Sequence, residues 1–199
     1  MNKTCCSIAC ACALLFPKPS SASTWTIDPD HSNVGFSIRH LTITNVKGDF
    51  LKFNGTVELD DRNVTRSTVE ATIDPASIST NVQKRDDHLR GPDFFDVANY
   101  PGMNFVSKKW AVAGKGELRI TGDLTIHGVT KEVVLYAEPF TRKVKDPWGN
   151  IRRSTSATAK INRRDFGLGW NQTLESGGAM IGDEVTIDLE IEMVRKLPK

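Results

Sequence analysis

Apolar residues recur at every second position through much of the chain. Between Glu184 and Val194, Val185, Ile187, Leu189, Ile191 and Met193 alternate with Thr186, Asp188, Glu190 and Glu192, the pattern of a β-strand with one apolar and one wet face. The same period runs through Val34, Phe36 and Ile38, through Val57 and Leu59, through Val69, Ala71 and Ile73, and through Leu118, Ile120, Leu124 and Ile126. Fainter versions cover residues 104–112, 130–140 and 151–161. Turn-forming residues separate the runs: Asn54-Gly55, Asp60 to Asn63, Ala113 to Gly116, His127-Gly128 and Asp146 to Asn150. Eight or more strands at this spacing predict a sandwich or an antiparallel up-and-down barrel, and the short hairpin-like connections favour the barrel.

One segment breaks the period. Thr80-Asn81-Val82-Gln83 has the form of a capping box, and Gly91 with Pro92 supplies a stop, so a short helix is predicted over residues 81–90. Val82 and Leu89 share one face, while Lys84, Arg85, Asp86, Asp87, His88 and Arg90 are polar. A helix with so little apolar surface must lie across something, such as a barrel end, and Phe94 and Phe95 just after it supply the anchor it lacks.

The first residues differ in kind. Lys3 opens a short basic region, an apolar stretch runs from Cys5 to Phe16, and Ser20-Ser21-Ala22-Ser23 follows. That is the layout of a secretory signal cleaved near Ala22, which makes 1–22 a removed segment and 23–199 a single exported domain. A lipoprotein signal acylated at Cys10 or Cys12 fits less well, because apolar sequence continues past both. Twelve or so apolar residues are too few to span about 30 Å of hydrocarbon, so no stable membrane insertion is expected. All four cysteines lie in the removable segment, so disulfides and thiolate metal sites go with it. Loss of Lys3 and Lys18 takes 26 basic residues against 24 acidic to an even 24. A neutral whole has no global field for nucleic acid or an anionic membrane.

No catalytic signature is present: no nucleophile elbow, no phosphate-cradling loop before a helix, no His-Glu-x-x-His and no dinucleotide fingerprint. The Ser176-Gly177-Gly178-Ala179 stretch sits between a loop and a strand and reads as a flexible loop. His31, His40, His88 and His127 stand far apart without metal-ligand spacing, so neither a metal nor a cofactor is expected. The adjacent acids Asp60-Asp61 and Asp86-Asp87 read as solvated faces and caps. Arg85, Asp86, His88 and Arg90 beside Phe94 and Phe95 suit a polar or anionic head group, or equally a salt-bridged helix on a rim. Trp170, with Phe166 and Leu168 among glycines, reads either as a pocket mouth or as an aromatic plug.

Several stretches resemble the YceI-like family: Trp25 to Ser32 with Val34-Gly35-Phe36 and Ile38-Arg39-His40, Arg85 to Arg90 running into Asp93 to Asp96 and Tyr100-Pro101, Gly122 to Thr130, and Asn162 to Leu168. They span essentially the whole predicted domain in order. The resemblance implies an all-β, lipocalin-like eight-stranded antiparallel barrel with an elongated apolar cavity, exported to the periplasm and holding a polyisoprenoid or similar amphiphile, a quinone included. It places Phe36, Ile38, Phe105, Leu124, Ile126 and Leu135 on the cavity wall and Leu89, Phe94 and Phe95 at its mouth. The polar head would meet His31, Arg85, His88 or Asp93. An eight-stranded barrel can also fill itself with side chains, so a structural or stress-protective protein stays open, as does a lipid-modifying enzyme using His31 or His88 as base. An exposed edge at an imperfect seam would allow a homodimer.

Overall fold

The computed structural model describes residues 22–175 and 177–196. The segment 1–22 and its four cysteines lie outside these residues, apart from Ala22, as does Ser176. In chain order the elements are β1 (Ala22–Ile27), β2 (Asn33–His40), β3 (Thr44–Phe50), β4 (Phe53–Asp60), β5 (Thr68–Ile73), β6 (Ile78–Ser79), α1 (Gln83–Arg90), β7 (Met103–Val112), β8 (Leu118–Ile126), β9 (Val129–Ala137), β10 (Val144–Lys145), β11 (Ile151–Asn162) and β12 (Ile181–Arg195). Every pairing is antiparallel, and β11 against β12 closes the sheet on itself.

Twelve segments make eight staves, because three long strands are each creased once and the short β10 continues the line of β9 along β11. β1 continues into β2, β3 into β4, and β5 into β6, and the registers on either side of each crease differ by only a small step. The crease is written locally. Asp28 accepts from the Asp30 N–H and Asp74 from the Ala76 N–H, and in each case the intervening Pro fixes a single 3₁₀ turn. Between them Lys52 donates its N–H to Ser77 Oγ at 2.9 Å, and its carbonyl accepts from the Asp74 N–H at 2.9 Å. The barrel bends along this line, and serine hydroxyls take over backbone donors that the crease leaves without a strand partner, Ser77 from Lys52 and Ser32 from Glu192.

Period two then sorts the faces. On β12, Val185, Ile187, Leu189, Ile191 and Met193 point inward while Thr186, Asp188 and Glu190 point out. His127 and Gly128, with φ of 51° and 72°, form the two-residue turn that returns β8 into β9. The seam between β9 and β11 is only partly zipped. Tyr136 pairs with Thr158 and Ala137 with Ala157, and the earlier part of β9 runs free of β11. Phe166, 1% exposed on the 3₁₀ turn Arg163–Phe166, packs into that gap.

Three expectations need correction. Asn54-Gly55 is no turn but lies inside β4, where a Cβ on Gly55 would come within 2.6 Å of Ile27 Cδ1; the glycine serves close packing. Thr80 does not cap α1. Asn81 takes a left-handed φ of 62°, the helix begins after Val82, and the Thr80 hydroxyl donates to Asp86 instead. Asp60 and Asp86 are buried rather than solvated, at 2% and 5% exposed. Asp60 accepts from the Arg62 and Asn63 N–H groups, and Asp86 from Thr80, so each carboxylate has its partners inside the fold.

Two glycines shape the interior. A Cβ on Gly48 would sit 2.6 Å from Phe36 Cζ, and one on Gly122 would sit 2.5 Å from Phe105 Cζ and 2.6 Å from the Val106 carbonyl oxygen. Gly122→Ala is therefore expected to cost about 1–3 kcal/mol through overpacking, read as a lowered Tm in thermal unfolding. An unchanged Tm would mean that the ring and the β7 backbone give way freely.

Candidate functional site

The barrel encloses a cavity of about 410 Å³. Along β12 its wall runs from Ile181 to Met193, and twelve strand steps at about 3.3 Å, tilted by roughly 40°, project to about 30 Å along the axis. The wall is aliphatic and aromatic almost throughout. Phe36, Ile38, Phe105, Leu124, Ile126 and Leu135 all line it, as the inward positions of β2, β7, β8 and β9. The lumen is open, so the reading of a barrel filled by its own side chains does not describe this protein.

One end is sealed. Trp25 is fully buried there, with Arg195, Lys143 and Arg153 ranged 5.1, 6.0 and 6.0 Å from its ring. Arg153 also lies 4.7 Å over Phe140, which stacks on Trp110. Asp61 accepts from Lys143 at 2.6 Å and from Arg153 at 3.1 Å. Burial pushes the Asp61 carboxyl up, but the Lys143 hydrogen bond and the two cations outweigh it and hold the group below its usual range. Burial depresses the Arg153 guanidinium.

The other end is covered by α1 and the loop after β11. Leu89, Phe94 and Phe95 line the cavity there, and Phe95 meets Phe50 edge-on at 5.7 Å. His88 stands edge-on to Phe94 at 5.0 Å and to Trp170 at 4.9 Å, with Nε2 2.9 Å from Asp93 Oδ2. Asp93 is not itself a lining residue and reaches the mouth through His88. Arg85 lines the cavity and donates Nε to Thr80 Oγ1 at 2.7 Å and Nη2 to the Thr80 carbonyl at 2.9 Å. Among the described residues no carboxylate forms an ion pair with it. Arg90 plays another part, tying α1 to the Ala76 and Ile78 carbonyls.

Sequence reasoning missed several mouth residues. Arg39 and His40, at the end of β2, also line the cavity. Arg163 is 3% exposed and donates to the carbonyls of Leu168, Trp170 and Gly182, which fixes Trp170 across the opening. Its place between the β11 alternation and the Gly167–Gly169 pair was the available signal. Trp170 and Leu168 face the cavity, as the pocket-mouth reading has it, while Phe166 plugs the outer seam of the wall rather than the barrel end.

His31 does not join the mouth. The Asp28–His31 turn projects it from the outer wall, 60% exposed, with Nδ1 3.0 Å from Asp28 Oδ2. There Arg152 bridges Asp28, Asp146 and Glu192. Asp28, His31 and Glu192 are close enough to hold a metal ion, but the Arg152 guanidinium hydrogen-bonds both carboxylates and supplies the positive charge itself. The adjacency of His31 to the Val34–Ile38 run hid the outward turn between them.

Among the described residues no helix is long and apolar enough to cross a membrane. Residues 25–193 match the model of the YceI-like domain. The chain belongs to the YceI-like family. A UPF0312 protein of Vibrio cholerae is 35% identical over 170 residues, covering 84% of this chain and 89% of its own. The YCEI protein of Campylobacter jejuni, 35% identical, superposes with a TM-score of 0.67 over 85% of this chain and 96% of its own. BcnA of Burkholderia cenocepacia, 25% identical, gives 0.73 over 83% and 98%. A polyisoprenoid binding domain from Saccharophagus degradans, 16% identical, shares the fold with a TM-score of 0.61 over 86% and 98%.

The outer cluster of this YceI-like barrel generates a pH prediction. Burial pushes Asp146 up, but hydrogen bonds from Asn150, Arg152 and the backbone outweigh it and hold the carboxyl at about 2. A depressed carboxyl contributes stability that is present above its unfolded value of 3.8 and is lost as pH falls through the folded one. Tm is thus expected to drop between about pH 4 and pH 2, and Asp146→Asn to flatten that drop, measured by thermal unfolding across the range. An equally steep drop in Asp146→Asn would assign the acid sensitivity to other carboxylates.

Proposed function

We propose that this YceI-like protein is a periplasmic carrier that holds one polyisoprenoid, or a similar long amphiphile such as a prenylated quinone, in its barrel and performs no chemistry on it. The observation that carries the reading is the narrow apolar lumen, roughly 30 Å long by the strand geometry, with polar groups gathered at its mouth. The shared fold with the polyisoprenoid binding domain supports the same class of occupant. Export rests on the signal-like segment at the N-terminus and on the confinement of every cysteine to it.

Each methylene taken out of water contributes about 0.8 kcal/mol, so a chain of tens of carbons outweighs the cost of immobilising it with few polar contacts. Chain length and thickness then set selectivity more than the head does. The tail lies along Phe36, Ile38, Phe105, Leu124, Ile126 and Leu135, and the head rests between Arg85 and His88, with Arg39 and His40 across the opening. His31, on the outer wall, has no access to such a ligand, which removes one of the two bases an enzyme reading would use.

Protein exported from a Gram-negative host and purified gently should release a prenyl lipid on solvent extraction, identified by mass spectrometry. Ala157→Phe, which puts a ring into the lumen, should lower the recovered lipid by on the order of tenfold while the barrel still folds, as one or two kcal/mol of lost burial requires. A wild-type protein that carries no lipid and takes up no added prenyl lipid would sink the proposal. A bound lipid that changes mass on incubation, and ceases to in His88→Ala, would replace carriage with catalysis.

A further inference from the structure

We propose that the tip of the β10–β11 hairpin is a docking surface for an anionic lipid bilayer. Trp148 at the tip is 79% exposed, and Val144 at the root of the same hairpin is 62% exposed. A bare indole in water is unfavourable unless something covers it. Here the turn is built to present it. The Asp146 carboxylate accepts from the backbone N–H groups of Trp148 and Asn150, from Asn150 Nδ2 and from Arg152 Nε, all between 2.8 and 3.0 Å. Gly149 closes the turn at a φ of 92°. The indole therefore projects from a fixed platform, and binding through it costs little ordering of the chain.

Charge identifies the occupant. Arg142 and Lys145 flank the tip, both exposed, and among the described residues neither is paired with a carboxylate. Arg62 borders the hairpin, next to the Asp61 that holds Lys143 and Arg153, and Lys196 follows directly on the Ile151–Arg195 pair. The nearby acids are already committed: Asp146 to its own turn and Arg152, Asp61 to Lys143 and Arg153. Asp28 and Glu192 beside the hairpin are likewise taken up by Arg152, which leaves Asp30, Glu117 and Glu138 among the carboxylates without an ion pair, against Arg62, Arg142, Lys145 and Lys196. A near-neutral total thus conceals a local positive rim around an exposed tryptophan, which is the pairing that membrane interfaces select: an aromatic seated at the head-group level and cations facing anionic lipid.

Docking here is independent of what fills the barrel. β11 runs from this hairpin at Ile151 to Asn162 beside the mouth, so the tip lies at the end opposite α1 and an empty barrel docks as well as a loaded one. The bilayer holds the protein while the mouth stays clear of it.

The test is co-sedimentation of the purified protein with vesicles of phosphatidylcholine alone or mixed with an equal amount of phosphatidylglycerol. Binding is expected to the anionic vesicles and to weaken with added salt. Arg142→Gln and Lys145→Gln should each lower partition about fivefold, and Trp148→Ala on the order of tenfold. All three residues are exposed, so unfolding curves of the variants should overlay the wild type and exclude misfolding. Failure to bind the anionic vesicles, or binding that ignores Trp148→Ala, would overturn the proposal and leave the tip as a contact for a protein partner.

Discussion

Eight antiparallel strands enclose a lumen that ordinary apolar side chains are large enough to fill. Whether such a barrel is a packed core or a container is therefore decided by where its largest inward side chains go. In this chain two of them fold back against the wall. Phe36 lies over Gly48 of the neighbouring strand and Phe105 over Gly122, each ring occupying the place a Cβ would need. The glycines weaken their strands intrinsically, and the aromatic rings cover the backbone they expose. The space those rings would otherwise occupy becomes the cavity, and the aliphatic positions of β8, β9 and β12 finish its wall.

The same logic explains why the container is long rather than round. A strand of ordinary length spans about 20 Å, too short for the cavity observed. The creased pairs β1–β2, β3–β4 and β5–β6 extend three staves past that limit, and they can do so because Asp28-Pro29 and Asp74-Pro75 place matching 3₁₀ turns on either side of Lys52. Across the barrel, β11 and β12 stay continuous for 12 and 15 residues and carry the closing pairs.

Period two made the staves legible, since each has one inward apolar row, while the expectation that these rows line a cavity and not a packed core came from the family resemblance. The creases were not legible that way. Asp28-Pro29 and Asp74-Pro75 are ordinary turn signals in isolation, and only the register between strands shows that they bend a stave instead of ending it. Asn54-Gly55 misled for the complementary reason: its composition is that of a turn, while its use is close packing against Ile27. At the mouth, local sequence grouped Arg85, His88, Phe94 and Phe95 correctly because they share one helix and its exit. Arg39 and His40 at the end of β2 and Arg163 on the turn after β11 are distant in the chain from α1, and tertiary structure alone brings them there. His31 failed in the opposite sense, being near the cavity strands in sequence and outside them in space.

The two ends of the barrel differ in a way that fixes how an amphiphile must sit. At the sealed end three cations surround Trp25 and Asp61, but none of Lys143, Arg153 and Arg195 lines the cavity. Their charge is directed at aromatic faces and at a carboxylate, so the lumen at that end meets Phe140, Trp110 and Met193. At the mouth the wall itself turns polar, through Arg39, His40, Thr80, Arg85 and His88. A head group carried to the sealed end would lose its hydration and find on the wall there one unpartnered donor, the buried Trp110 Nε1–H, against a desolvation cost of several kcal/mol for a polar group and more for a charged one. Placed at the mouth it keeps water and meets donors. One orientation is therefore favoured before any specific recognition of the head, tail inward and head outward, and it follows from the separation of charge between the two ends rather than from any single residue.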